Sequence, residues 1–342
     1  MGLKIAVISP WNVHCGIFTY SEKLINALAE QDVDVYVVRL SRFGKKTPEL
    51  LQNLVQTIPV DKIDLVHVQH EYGLFQQLEQ EFYPYLKALG KPVVTTAHAV
   101  GVRREIDAYI ASMSDRVIVH NDFCAKMFSY PEKTVIIPHG ASSCETVEVG
   151  KAKKSWGIDP RIPIVGYCGF ISEYKGLETL IQAVANIPRV ALLIAGGYHT
   201  ETDTPYIMGL KQTTLDVLPS RCHWTGYVPD ERLPAAYGAM DILCYPSRFA
   251  TESGALIMAL SHGKAVIASG IAPFREKEKL GALMTFKNVA DLTRKIKRLL
   301  KNQQLREKLE EGARNYVRSV EWSKIAEKHV ALYEEVLNAR KQ

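Results

Sequence analysis

The chain has 342 residues, 47% of them hydrophobic, and a net charge of +5. At roughly 100–200 residues per domain this length predicts two globular domains, and no apolar run approaches the roughly 18 residues of a membrane span. The basic excess is thin, with short clusters at Lys151–Lys154 and Lys295–Arg298, so a nucleic-acid partner is not expected. A solvated surface is the simpler reading of both clusters, with loose peripheral contact with anionic lipid as the alternative. The first residues, MGLKIAVISPW, are too short and badly flanked for a signal peptide. Ala6 stands where a myristoylation signal wants Ser or Thr. Cys15, Cys124, Cys144, Cys168, Cys222 and Cys244 form no C-x-x-C pair. Free thiols in a reducing compartment fit best, and a cytoplasmic protein is expected.

In chain order, Lys4–Ser9 reads as a buried strand and Thr19–Glu30 as a helix. Strands follow at Val33–Leu40, Leu65–Gln69, Lys91–Ala97, Arg116–His120 and Thr134–Pro138. Short apolar runs alternating with helical stretches predict a parallel sheet covered on both faces, a doubly wound α/β domain. Between Ala141 and Arg161 the pattern lapses into a polar linker with one short helix. It then restarts with strands at Ile164–Gly169, Val190–Ala195, Asp241–Tyr245 and Ala265–Ser269. A helix is read at Gly176–Asn186, and the chain is helical from Val289 to about Asn338. The division expected is residues 1–145, with 322–342 packing back on them, and residues 146–321. Two similar halves predict a cleft, with ligands beyond the carboxyl ends of the strands.

Three strand-to-helix loops carry candidate chemistry. In the first, Gly16 stands near a helix start, where backbone can approach a phosphate. The loop is not G-x-G-x-x-G, which removes support for a dinucleotide oxidoreductase. In the second, Lys175 is expected at a helix N-terminus. A cation there is unfavourable unless an anion joins it, so the reading is open between a diphosphate clamp and an exposed lysine. In the third, Ser253 and Gly254 offer N–H groups and a hydroxyl to a phosphate, or Thr251 or Ser253 simply caps the helix. Glu252 beside them would repel phosphate but accept bonds from sugar hydroxyls. His98, at the end of the fourth strand, is a sugar contact or a structural histidine.

His67, His70 and Glu71 look like metal ligands, but the order is not H-E-x-x-H and His67 lies inside a strand, so no metal site is expected. Cys222-His223 lacks a second pair. Asp32-Val-Asp34 opens a strand at the wrong edge of the sheet for a metal-binding D-x-D.

Taken in order, these segments resemble the retaining GT-B glycosyltransferases of group 1, the family that includes sucrose-phosphate synthases and bacterial mannosyltransferases. In the first half the likeness rests on CGIFTYSEKLINAL, IDLVHVQHEYGLF, PVVTTAHAV, DRVIVHNDF and IPHGA. In the second it rests on GYCGFISEYKGLETLIQAV, LLIAGG, WTGYVPDERLPAAYGAMDILCYPS, GKAVIAS and WSKIAEKHVALYEEVL. The resemblance covers nearly the whole chain. It implies two Rossmann-like domains and a sugar transferred from a nucleotide donor to a glycan, glycolipid or small glycoside, with no metal or other cofactor.

By resemblance, Gly16, Lys175, Ser253, Gly254 and Ala255 would hold the donor diphosphate, and Tyr227 and Val228 would border the base. His98 and Glu252 are the residues expected at the reacting sugar, and His70, Glu71 and Arg103 the expected acceptor contacts. The leaving diphosphate would take the acceptor's proton on the face the sugar leaves, so catalysis would be positioning and charge stabilisation.

The sequence departs from the family at three places. Phe170 stands where an arginine is usual. An ungapped count back from ALSHG puts Ala250 and Met258 where two glutamates are usual, and Glu252 replaces the first only if the loop shifts. The loop Thr251–Gly254 resembles a T-x-S-G form found in some relatives. Two other readings on the same fold are a non-catalytic sugar-binding or regulatory protein and a sugar-nucleotide epimerase or hydrolase.

Overall fold

The computed structural model describes residues 2–13, 15–197 and 204–341. It divides into two compact units, residues 1–140 with 320–342, and residues 141–319.

The first unit runs β1 (Lys4–Pro10), α1 (Gly16–Ala29), β2 (Asp34–Leu40), α2 (Pro48–Gln56), β3 (Leu65–His70), α3 (Tyr72–Phe75), α4 (Glu79–Lys87), β4 (Val93–Ala97), α5 (Arg104–Met113), β5 (Arg116–Val119), α6 (Asp122–Phe128) and β6 (Thr134–Ile136). Its sheet has the order β2-β1-β3-β4-β5-β6, and every pairing is parallel. All residues of β3 and β4 are buried, as a strand covered on both faces requires. Edge strand β2 instead alternates over its first residues. The first helix begins at Gly16, three residues before the expected Thr19. Its N-cap, Cys15, makes no side-chain capping bond, so the sequence carries no capping signal there.

The closing helix, Trp322–Ala339, also belongs to this unit and packs on α1. It buries Ile325, Ala326, His329, Leu332, Tyr333 and Val336, the spacing of one apolar helix face. Each fully buried aliphatic side chain among them contributes about 1.5–3 kcal/mol. Trp322 lies so close to Gly140 that a Cβ there would stand 2.4 Å from the indole. Arg116 pairs with Glu335, and Arg340 with Asp115, on the outer surface.

The second unit runs α7 (Val149–Ser155), β7 (Ile164–Cys168), α8 (Leu177–Ala185), β8 (Ala191–Ala195), α9 (Pro205–Val217), β9 (Cys222–Gly226), α10 (Leu233–Ala239), β10 (Ile242–Tyr245), α11 (Gly254–Ser261), β11 (Val266–Ser269), α12 (Ala272–Lys279), β12 (Met284–Phe286), α13 (Val289–Lys301) and α14 (Gln303–Ser319). The sheet order is β12-β11-β10-β7-β8-β9, again parallel in every pairing. The α/β class expected from the sequence is what the chain adopts. Among the described residues no helix is long and apolar enough to cross a membrane.

Candidate active site

In the second unit the chain passes from β7 to β8 and β9 on one side, then returns to place β10 on the other side of β7. The loops after β7 and β10 therefore diverge at a topological switch point, where open α/β sheets bind ligands. These loops hold Lys175 and Ser253–Ala255. The backbone N–H of Arg248 donates to Tyr174 O at 2.7 Å. The Tyr245 hydroxyl lies 3.2 Å from Cys168 O and 2.8 Å from Ala255 O, spanning both loops from the sheet beneath. Gly176 has φ +65, and a Cβ there would meet Pro246 O at 2.6 Å. Only glycine fits on both counts.

Lys175 is not in the first turn of its helix. It ends a short 3-10 turn, Glu173–Lys175, with Gly176 between it and α8. It is partly exposed, with Nζ 4.6 Å from the centre of the Tyr174 ring. Ser253 is the N-cap of α11, and its hydroxyl accepts from Leu256 N at 3.3 Å. The Ser253 N–H donates to Glu252 Oε1 at 2.8 Å. Ser253 is thus a capping residue with its N–H already engaged. Gly254 and Ala255, opening the helix, carry N–H groups that have no acceptor within it.

Glu252 is corrected. Its other oxygen pairs with Lys277 of α12 at 2.7 Å, and the two side chains are 6% and 4% exposed. Burial opposes the charge of Lys277, yet the carboxylate beside it, with Tyr316, holds the ammonium above the usual lysine range. A carboxylate so enclosed shapes the loop from below and does not receive sugar hydroxyls. Lys277 escaped the sequence reading, although it lies three residues after the buried Phe274, on the same face of α12.

Met258 lies in the second turn of α11, half-buried, with Sδ 3.8 Å from Cys144 Sγ. Ala250 is buried and Phe170 is partly exposed. At the far edge of the sheet, after β9, Tyr227 is 46% exposed but Val228 is 6% exposed. The Val228 side chain belongs to the core, which leaves Tyr227 as the residue of this pair that can meet a base.

The first unit has its own switch point, between β1 and β3. Gly16 opens α1 there, exposed, with open space where a Cβ would stand. His98 follows β4 and is partly exposed, but both ring nitrogens are engaged. Nε2 lies 2.9 Å from the Gln69 amide and Nδ1 3.3 Å from His120 Nε2. Burial pushes its pKa well below the usual histidine value, and His120, His139, His67 and His70 push it further.

His70 is corrected as an acceptor contact. It is fully buried, bonded to Glu79 at 3.0 Å and stacked on Phe75. Glu71 caps α3 through Gly73 N, and the Arg103 guanidinium lies 5.9 Å from the centre of the Tyr72 ring. His67 bonds Thr96 and Tyr333. Among the described residues no group of three His, Cys, Asp or Glu is arranged to hold a metal ion.

Residues 149–316, nearly all of the second unit, match the family model described as glycosyl transferases group 1. An uncharacterised glycosyltransferase of Methanocaldococcus jannaschii is 25% identical over 324 residues, covering 90% of this chain and 76% of that one. The second unit is a group 1 glycosyltransferase domain. The 2-deoxystreptamine glucosyltransferase of Streptomyces kanamyceticus is 25% identical over 222 residues, and this chain spans about half, 55%, of its length. The fold of the transferase is the GT-B fold. HepE of Anabaena, solved with UDP-glucose, superposes with a TM-score of 0.79 over 98% of this chain and all of that one, at 16% identity.

Proposed function

We propose that the transferase moves a sugar from a nucleotide-sugar donor to a glycan, glycolipid or small glycoside, with retention at the anomeric carbon and without a metal ion. The donor diphosphate lies at the β7–β10 switch point. The observation that carries this reading is the meeting of the Lys175 loop with the N-terminus of α11 inside one unit. A lysine and the first N–H groups of a helix supply the positive potential that a diphosphate needs, at the place where the sheet topology opens a crevice. UDP-glucose, the ligand of the Anabaena relative, is the first probe. His98 is read as facing the transferred sugar, Tyr227 the base, and Glu71 and Arg103 the acceptor. Free cysteines, three of them buried, accord with a cytoplasmic setting.

The test is calorimetric. Lys175→Ala weakens UDP binding by roughly 1.5–3 kcal/mol, the range for bonds to charged groups. Unchanged affinity removes Lys175 from the site. Turnover of UDP-glucose persists in EDTA, because Lys175 and the helix N-terminus meet the diphosphate charge themselves. Loss in EDTA with recovery in magnesium or manganese overturns the metal-free reading. Proton NMR of the newly released or transferred sugar reports its anomeric configuration, and an inverted product overturns retention.

A further inference from the structure

Arg248 runs alongside the segment that carries Lys175. Its backbone N–H donates to Tyr174 O at 2.7 Å. Its Cγ lies 3.5 Å from the place where a Cβ on Gly176 would stand. Its Nη2 donates to Glu178 Oε2, in the first turn of α8, at 3.2 Å. Main chain and side chain thus pass residues 174, 176 and 178, on both sides of Lys175. The main-chain bond already ties the two loops, so the side chain is not needed for that. It is 61% exposed and Glu178 33% exposed. Among the described residues Glu178 is its one side-chain partner, and most of the five donors of the guanidinium fork face solvent.

The charges around the crevice give this arginine a use. The loop after β7 carries Glu173 and Lys175, the loop after β10 carries Arg248 and Glu252, and Glu178 opens α8 beside them. Glu252 is buried against Lys277 and balanced there. Two anions then remain, Glu173 and Glu178, with two cations, Lys175 and Arg248. Three of these four act on one point, the Tyr206 hydroxyl at the start of α9. Burial raises its pKa most, Glu178 and Glu173 raise it further, and Arg248 lowers it. With Lys175 as the only cation, the two carboxylates would outweigh it and oppose a diphosphate. Arg248 restores the balance. Its bond to Glu178 costs little to leave, because an exposed ion pair is weak. An arginine meets a phosphate through two parallel charge-assisted bonds, which are stronger.

We propose that Arg248 is the second cation of the donor diphosphate site. In the free protein it rests on Glu178, and with the donor bound it turns to the diphosphate beside Lys175 and the N-terminus of α11. The proposal rests on the reading that the diphosphate lies at the β7–β10 switch point.

Calorimetric titration of the full chain with UDP, and with GDP and ADP in parallel, tests it. Arg248→Ala should weaken the nucleotide that binds best by about tenfold, the scale of one charge-assisted bond. Arg248→Lys keeps the charge without the planar fork and should recover only part of the loss. Glu178→Gln should leave the affinity unchanged or tighten it. The double variant Arg248→Ala with Glu178→Gln keeps the net charge of the crevice. Affinity restored in that variant would mean that Arg248 only masks Glu178, and overturns the proposal. A double variant as weak as Arg248→Ala alone supports direct contact. Unchanged affinity in Arg248→Ala, beside a Lys175→Ala variant that has lost it, overturns this inference and leaves the donor site in place. Unchanged affinity in both, or no binding of any of the three nucleotides, overturns the donor site and the proposal with it.

Discussion

Lys277→Met is expected to destabilise the second unit by about 3–5 kcal/mol, the usual cost of removing one partner from a buried ion pair. Glu252 and Lys277 are 6% and 4% exposed and 2.7 Å apart. Without the ammonium, the carboxylate must stay buried without its cation, take up a proton, or drag the loop toward water. The first two outcomes destabilise the fold, and the third also disturbs the N-terminus of α11. Urea unfolding measures the loss. The double variant Glu252→Gln with Lys277→Met should recover most of it, because replacing both charges removes the buried ion together with its partner. A single-variant loss below about 1 kcal/mol would mean that Glu252 is solvated and not held by Lys277.

Gly196→Ala is the second large effect. Gly196 has φ +152, and a Cβ there would stand 1.9 Å from Gly169 O, itself backbone. No side-chain rotation relieves that contact. The strand ends of β7 and β8 are tied at this level by Gly169 N to Ala195 O at 2.9 Å and Ile171 N to Gly197 O at 3.1 Å. Overpacking costs about 1–3 kcal/mol and a side chain in that region of φ a similar amount, so a loss of about 2–6 kcal/mol is expected. UDP affinity should fall with it, since the displaced backbone leads directly into the Lys175 loop. An alanine variant of full stability and affinity would show that the two loops are not held this closely.

The parallel sheets are legible in the sequence because β1, β7 and β8 are nearly continuous apolar runs alternating with helices, as a sheet covered on both faces requires, whereas β3 and β4 are as deeply buried but carry His67, Gln69, His70, Thr95 and Thr96. Strand β9 is not such a run, since Cys222–Gly226 is half-exposed at an edge and carries polar residues, and β12 is only three residues long. Loop positions are legible where a strand ends in glycine or serine. The state of the side chains is not. Glu252 is suggested by its place beside Ser253 and Gly254, and His70 by the family resemblance alone, and neither signal shows what lies beneath the side chain. The signal for Lys277 was its place on the buried face of α12, one turn after Phe274, where a lysine needs an anion.

The first unit is assembled from two stretches of chain separated by residues 141–319. On a ribosome adding about 5–20 residues per second, the closing helix is made roughly 9–36 s after Gly140. For that interval the nascent sheet has the inner face of β3 without its cover, and His67 without Tyr333. The second unit is continuous and complete before residue 320 is added, so it can fold first although it is encoded later. Contiguity in the chain thus permits an order of folding that is the reverse of the order of synthesis.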